Sequence, residues 1–349
     1  MGKIYSDTYS KSLNITDHIS RVFMSNKYSN RLLVVVVNYK SADLVCRSLD
    51  KLIPQLDKAV DCVSIVDNNS QDHSIGVLSH YLEINKLQDL VKLITSDKNG
   101  GFSYGNNLAI RAALDGKQNI SQYCLLLNPD TLPCEHAIAE LLKFMDEHPQ
   151  AGIAGSRLEG EDGTVQCSSF RFQSILSELD AGLRFGPISK LLSRWKVATE
   201  IENVAVQTDW LAGASMIIRR EVFDDIGLMD EDYFLYFEET DFCLQAKRKG
   251  WQCWYVPSSR VIHFVGQSTG IVSGSQTKAR RPQYWFQSRQ RFFVKNYGVL
   301  YTMLADLVWG TSFALWRLRR LIQNKPDTDP EKMLYDFWRN SIFFSKIGK

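Results

Sequence analysis

The chain has 349 residues, 44% of them apolar and 23% charged, the balance of a soluble globular protein with material for one large domain or two smaller ones. Forty-one basic against 39 acidic side chains leave a formal charge of +2, so charge gives no case for nucleic acid as a partner. The seven cysteines are odd in number, contain no CxxC and include some within apolar runs such as YCLLL. They read as reduced thiols in a reducing compartment, not as a disulfide framework or a zinc knuckle.

The first 30 residues are polar, lack the apolar core of a signal peptide and carry no assignable role. RLLVVVVNYK (31–40) then reads as a strand buried on both faces, and SADLVCRSLDKLI as a helix with Leu44, Leu49, Leu52 and Ile53 broadly on one side. CVSIVDNNS repeats the strand pattern, followed by a helical stretch through Leu78, Leu82 and Leu87. VKLITSD leads into a glycine-rich loop, NGGFSYGNN, with a helix expected to start near Asn106. QYCLLLNPDT is a further apolar strand. Strand and helix thus alternate from 31 to 150, which predicts βαβ units and a mostly parallel sheet with helices on both faces.

The polar clusters NYK, DNNS, NGGFSYGNN and NPD all follow strands. Ligands of such sheets bind beyond the carboxyl ends of the strands, so one shared site explains the four clusters better than four unrelated turns. From 151 to 270 the pattern is less regular. WLAGASMIIRR reads as one strand, YFLYF as an aromatic strand, EETD as a helix start, and the Val-Ile pair before His263 as a strand. Residues 271–349 are basic, aromatic and helical. Within them VLYTMLADLVWGTSFALW (299–316) reads as a buried helix or as one lying on a membrane face with Arg317, Arg319 and Arg320 at the headgroups.

Several side chains suggest chemistry. Asp67 at a strand end is either an Asx-turn residue or an acceptor for a nucleobase imide or ribose hydroxyl. The glycines of NGGFSYGNN allow a tight turn or close approach to a ligand, and the following helix start favours anions. Neither GxGxxG nor GxxxxGK[ST] occurs. After the sharp NPD turn Asp130 is a hard oxygen ligand for Mg²⁺ or Mn²⁺ bridging a diphosphate, or simply a turn residue. His263 alone reads as a core histidine. Glu238 and Asp241 share a helix face, with Glu239 about a quarter turn away. Acids there, with Lys247, Arg248 and Lys249 at the other end, also suit an ordinary helix dipole.

Taken in order over residues 31–300, VVVVNYKS, SIVDNNS, NGGFSYGNN, LLLNPDT, the WLAGAS-to-KRKGW stretch, VIHFVGQST and YWFQSRQRFFVKNYG resemble the inverting glycosyltransferases of family two, in particular the rhamnosyltransferase-like branch. The resemblance implies an α/β GT-A fold: a Rossmann-like, mostly parallel sheet flanked by helices, with a C-terminal helical extension. The implied domains are an N-terminal extension (1–30), a catalytic domain (31–270, nucleotide half 31–150 and acceptor half 151–270) and a helical C-terminal region (271–349). It assigns Asp67 and Asn69, beside Asn38 and Tyr39, to the donor's base and ribose, and Gly100, Gly101 and Asn107 to the loop over the nucleotide. Asp130 is assigned to a Mg²⁺ or Mn²⁺ ion, with Asn128 at the first position of the DxD-type motif, and His263 to a further metal contact. Trp210 and Gly213 are assigned to the region of donor sugar and acceptor, and Glu239 to the catalytic base with Asp241 as second choice. The implied donor is a nucleotide-diphosphate sugar, foremost dTDP-L-rhamnose. The implied acceptor is a glycan or lipid-linked glycan, and the implied seat is cytoplasmic, peripheral at the inner membrane face. A same-fold transferase using a UDP-hexose or UDP-N-acetylhexosamine, and a non-catalytic nucleotide-sugar scaffold, are the alternatives. A sugar-nucleotidyltransferase should carry glycine after the first strand, and NYKSADL has none.

Overall fold

The computed structural model describes residues 30–115, 121–264 and 279–344. The N-terminal stretch through residue 29 and the GQST segment after His263 lie outside the described residues. The strands in chain order are β1 (Asn30–Asn38), β2 (Asp61–Asp67), β3 (Val91–Thr95), β4 (Ser121–Leu127), β5 (Thr131–Pro133), β6 (Ala151–Glu159), β7 (Val165–Gln166), β8 (Ser169–Phe170), β9 (Val206–Thr208), β10 (Trp210–Leu211), β11 (Ser215–Arg219) and β12 (Gln252–His263). The α-helices are α1 (Ala42–Leu52), α2 (Ser74–Ile84), α3 (Gly101–Asp115), α4 (Ala137–Glu147), α5 (Ile175–Leu183), α6 (Gly186–Leu191), α7 (Arg220–Ile226), α8 (Glu238–Arg248), α9 (Gln283–Tyr297), α10 (Val299–Ile322) and α11 (Met333–Arg339).

The main sheet runs in the order β3-β2-β1-β4-β11-β6-β12-β5. Strands β3, β2, β1 and β4 are parallel, β11 is antiparallel to both neighbours, and β6 and β12 are again parallel. The alternation of side chains along β1 builds two cores at once. Leu32, Val34 and Val36 meet α1, α2 and α4 on one face, while Leu33 and Val35 meet α3, α7 and α8 on the other. All five are essentially excluded from water, each worth about 1.5–3 kcal/mol of transfer free energy. With β2 on one side of β1 and β4 on the other, the crevice for a ligand opens beyond Asn38, Asp67 and Leu127.

Local details depart from the sequence reading. Helix α3 begins at Gly101 rather than near Asn106, so most of NGGFSYGNN forms the first turns of a helix instead of a loop. The buried stripe of α1 is Ala42, Val45, Leu49 and Leu52, with Leu44 and Ile53 at its edges. WLAGASMIIRR is two strands, because Ala212–Ala214 breaks the run between β10 and β11. YFLYF is irregular: Tyr236 and Phe237 have φ of 72° and 69°, which no strand can include.

Helices α5, α9, α10 and α11 pack together beside the sheet. A buried ion triad joins them. Arg289 on α9 donates to Glu178 on α5 and to Asp306 on α10, both at 2.5 Å. Asp306 also accepts from the backbone N–H of Ile342 at 2.9 Å. By length and composition alone α10 could cross a membrane. In this fold Ala305, Trp309 and Phe313 are buried, while Leu300, Leu304, Leu307, Leu315, Leu318 and Ile322 stand exposed along the other side. The arginines that the sequence assigns to headgroups are engaged within the protein. Arg317 pairs with Asp327 and Asp329, Arg320 with Asp327, and Arg319 donates to the carbonyls of Leu183 and Arg184.

Removing Arg289 leaves two buried carboxylates without their cation. Arg289→Ala is therefore expected to lower unfolding free energy in a urea titration by about 3–5 kcal/mol, whereas Arg317→Ala, at the surface, is expected to cost about 1 kcal/mol or less.

Candidate functional site

The strand ends beyond β1 and β2 are locked to one another. Asn38 donates from Nδ2 to Asp67 Oδ1 at 2.7 Å and to Ser70 Oγ at 3.2 Å. Ser70 donates to Asp67 from its hydroxyl (2.6 Å) and its backbone N–H (3.1 Å), and Asn38 Oδ1 accepts from the N–H of Ser41 at 3.1 Å. Asn38 and Asp67 are both buried. Asp67, which the resemblance assigns with Asn69 to the base and ribose, is thus braced from within by Asn38 and Ser70. The cleft above them, about 860 Å³ with its solvent-facing space, is lined instead by Tyr39, Ser41, Asn68, Asn99, Phe102 and Asn128, among others. Asn69 has φ 59° and donates to the carbonyl of Asp97 at 3.1 Å on the exposed side of the turn.

The start of α3 is built against the segment that precedes α8. Gly101 has φ +85°, and a Cβ there would stand 1.9 Å from the carbonyl oxygen of Phe234, so only glycine fits. The same carbonyl accepts from the N–H of Phe102 at 2.9 Å. Gly100 packs on the ring of Tyr104. Asn68 spans this junction, donating to Asn99 Oδ1 and to the carbonyl of Gly101, both at 3.0 Å. Asn107 lies deeper than a loop residue over a nucleotide would. Its amide is spent on both backbone groups of Met229 and on Glu231, which fixes the acceptor-side segment 229–231 to α3.

Three carboxylates open α8, and they have three environments. Asp241 is buried and accepts from Lys295 (2.6 Å), Asn296 (2.7 Å) and Gln245 (3.2 Å). Its oxygens are taken up in docking α8 onto α9. Glu239 is only half-buried as a residue, yet its Oε2 is sealed from water and has no hydrogen-bond partner among the described residues. Desolvation raises its pKa to about 7, against its own backbone N–H and that of Gly213, which donate to the carboxylate. Burial, and then the charge of Glu239, push the neighbouring Glu238 well above the usual carboxylate range. The pair titrates together, with the two groups driven apart.

Gly213 leaves room for this arrangement: a Cβ there would meet the ring of Phe102 at 3.0 Å and Glu239 Oε1 at 3.9 Å. The carbonyl of its neighbour Ala214 accepts from the N–H of Asn128 at 3.0 Å, so one short turn touches both the acid helix and the NPD turn. Trp210 stacks on Phe170 at 4.2 Å and donates its indole N–H to the carbonyl of Arg171 at 2.9 Å, in the side sheet β8–β10. It braces that sheet rather than lining the cleft.

Asp130 is buried, and Nε2 of His263 stands 3.7 Å from its Oδ1. That is too long for a hydrogen bond. Gln166 settles the tautomer. Its Nε2 donates to the His263 carbonyl at 2.9 Å, so its Oε1, 3.1 Å from Nδ1, must accept, and Nδ1 carries the proton. Burial lowers the His263 pKa against the pull of Asp130, keeping the ring neutral with a bare Nε2 lone pair facing a carboxylate. Nitrogen and oxygen donors facing each other in this way suit a divalent cation. No cluster of three or more His, Cys, Asp or Glu with metal-holding geometry occurs among the described residues, so phosphate and water would complete the shell. Gln166 carries no sequence signal, because its role depends on β7 folding back onto β6.

The model of glycosyl transferase family 2 matches residues 33–227. An N-acetylglucosaminyl-diphospho-decaprenol L-rhamnosyltransferase of Mycobacterium tuberculosis is 28% identical over 259 residues, covering 71% of this chain and 80% of that one. A low-salt glycan biosynthesis hexosyltransferase of Haloferax volcanii, Agl10, is 28% identical over 311 residues, 84% of this chain and 85% of that one. The fold resembles a mannosyltransferase of Pyrobaculum calidifontis solved with GDP-Man and Mn²⁺, with a TM-score of 0.52, 16% identity, and coverage of 85% and 76% of the two chains.

The Asp130–His263 pair has a direct readout. In a Mn²⁺ titration followed by electron paramagnetic resonance with a nucleoside diphosphate present, Gln166→Leu is expected to weaken Mn²⁺ binding by roughly 10-fold or more by freeing the imidazole. Asp130→Ala is expected to weaken it further.

Proposed function

The chain belongs to glycosyltransferase family 2, and from that premise we propose that it moves L-rhamnose from dTDP-L-rhamnose to a hydroxyl of a growing, lipid-linked cell-surface glycan, inverting the anomeric centre. The observation that carries this reading is Glu239: a desolvated carboxylate with one oxygen uncommitted, set beside Gly213, which in turn packs on Phe102 in the lining of the cleft. The mycobacterial relative's name supports rhamnose as the sugar and a diphospho-polyprenol as the carrier. The hexosyltransferase relative supports the second reading, another hexose on the same chemistry.

In this reading the donor's nucleotide lies over Tyr39, Asn68 and Asn99, and its diphosphate lies toward the NPD turn. Asp130 and His263 would hold Mg²⁺ or Mn²⁺, which when bound offsets the charge growing on the departing diphosphate. Glu239 accepts the acceptor's hydroxyl proton as that oxygen attacks opposite the leaving group. A pKa near neutrality suits the task, since the base is ionised yet still strong enough to take the proton. Protonated Glu238 keeps a second negative charge away from the attacking oxygen. Phe102 and Gly213 close the floor beneath the reacting sugar. The exposed leucines of α10 support a peripheral seat at the inner membrane face, where a lipid carrier would present its glycan.

A thermal-shift screen with Mn²⁺ is expected to favour dTDP-L-rhamnose over UDP-galactose and UDP-N-acetylglucosamine; equal shifts would remove the donor assignment. Glu239→Gln is expected to cut transfer by roughly 10²–10⁴-fold while leaving nucleotide affinity unchanged. Because only the ionised carboxylate accepts a proton, wild-type kcat/KM should rise with pH through about 7, and that limb should vanish in Glu239→Gln. In vesicle co-sedimentation, Leu304→Glu with Leu315→Glu is expected to release the protein from phosphatidylglycerol membranes.

A further inference from the structure

A second cavity, about 770 Å³ with its solvent-facing space, opens at the start of α9 and is bordered by Arg280, Arg281, Gln283, Asp336 and Arg339. Arg280 is committed. It grips Asp336 through two hydrogen bonds, 2.6 and 2.5 Å, and so clamps α11 to the chain entering α9. The other two guanidinium groups are not balanced in this way. Arg281 lies over the ring of Trp285 at 4.6 Å, and among the described residues neither Arg281 nor Arg339 forms an ion pair. Helix α9 is preceded by Pro282 and receives no side-chain cap, so its first N–H groups add positive potential at the same place. Two guanidinium groups with no hydrogen-bonded carboxylate and an uncapped helix start, with Asp336 and Glu331 as the nearby acids, make a site for an anion such as a diphosphate diester.

Position narrows the ligand. Gln283 borders this cavity, and the next residue, Tyr284, lines the cleft, where its ring meets Phe234 at 5.2 Å and Tyr236 at 6.1 Å. The two spaces are therefore neighbours across one turn of helix. The donor's own diphosphate has its partners at the ends of β4 and β12, and does not account for these arginines. Tyr335, one turn before Arg339 on α11 and near enough to Arg280 to act on its charge, is 60% exposed. An anion site one residue along the helix from the cleft and beside a bare aromatic ring fits a molecule that is glycan, phosphate and hydrocarbon in sequence.

We propose that this cavity binds the diphosphate that joins the acceptor glycan to its lipid carrier, with Arg281 and Arg339 as its partners and Tyr335 against the first hydrocarbon units. This rests on the reading of the chain as a transferase acting on a lipid-linked glycan.

The test is a calorimetric titration of farnesyl diphosphate, inorganic pyrophosphate and farnesol, with EDTA present, into wild type, Asp130→Ala and the double variant Arg281→Gln/Arg339→Gln. Farnesyl diphosphate is expected to bind wild type and Asp130→Ala alike, and the double variant about 100-fold more weakly, roughly tenfold per guanidinium. Pyrophosphate is expected to bind wild type about tenfold more weakly than farnesyl diphosphate, and farnesol not to respond to the arginine changes. The double variant should bind dTDP with Mn²⁺ as wild type does, which shows that it is folded; the Arg280–Asp336 clamp is untouched. Undiminished farnesyl diphosphate binding in the double variant, or its loss in Asp130→Ala, would overturn the site. Equal affinity for the two anions would overturn the lipid-linked source in favour of a free phosphate. Failure of the wild type to bind any nucleotide sugar would instead overturn the underlying reading and leave the anion result standing by itself.

Discussion

One peptide turn, Ala212–Ala214, holds the two chemical halves of the molecule in register. The N–H of Gly213 reaches the Glu239 carboxylate, and the carbonyl of Ala214 takes the N–H of Asn128 at the head of the NPD turn. The distance between the Glu239 carboxylate and Asp130 is therefore set by backbone, not by long side chains. Antiparallel β11, which follows that turn, is inserted between β4 and β6 and fixes it to both. The small side chains of this turn are a requirement of the geometry, since the ring of Phe102 already occupies the space beside Gly213.

The entry to α8 is strained and then held. Two consecutive aromatic residues, Tyr236 and Phe237, sit in the left-handed region at a cost of about 1–3 kcal/mol each. Hydrogen bonds to the Phe234 and Leu235 carbonyls from Phe102 and Ser288, together with the Asp241–Lys295 pair, offset that cost. The strained turn points Glu238 and Glu239 into the fold instead of letting them rest at a solvated helix start. Desolvation follows from that orientation, and the raised pKa follows from desolvation.

Much of this was legible in the sequence, for physical reasons. The four valines of β1 and the apolar run of β4 can only be strands covered on both faces, and the polar clusters after them mark the crevice. Glu239 is singled out by the resemblance to family two, as a member of the acid pair that opens a helix. What stayed hidden depended on long-range geometry. The sequence shows Asp241 and Glu239 as similar acids, and only the approach of Lys295 and Asn296, over fifty residues away, separates their environments. Aromatic residues in YFLYF read as strand because propensity cannot report a backbone bent by its neighbours. Gln166 and the unbalanced arginines likewise acquire meaning only when distant segments meet. The helical tail carried both of its readings at once, a buried face and a bare one, because its apolar residues encircle more of the helix than one interface covers.

The brace of Asn38, Asp67 and Ser70 separates the scaffold from selectivity. Since the buried carboxylate is turned inward, the surface that faces the cleft is supplied by Tyr39, Asn68 and Asn99, which sit on turns above it. Changes at Tyr39 and Asn99 can therefore reshape the cleft while the strand ends stay anchored. Descendants of one such chain could diverge in donor by drift at a few turn positions, without the fold having to be rebuilt.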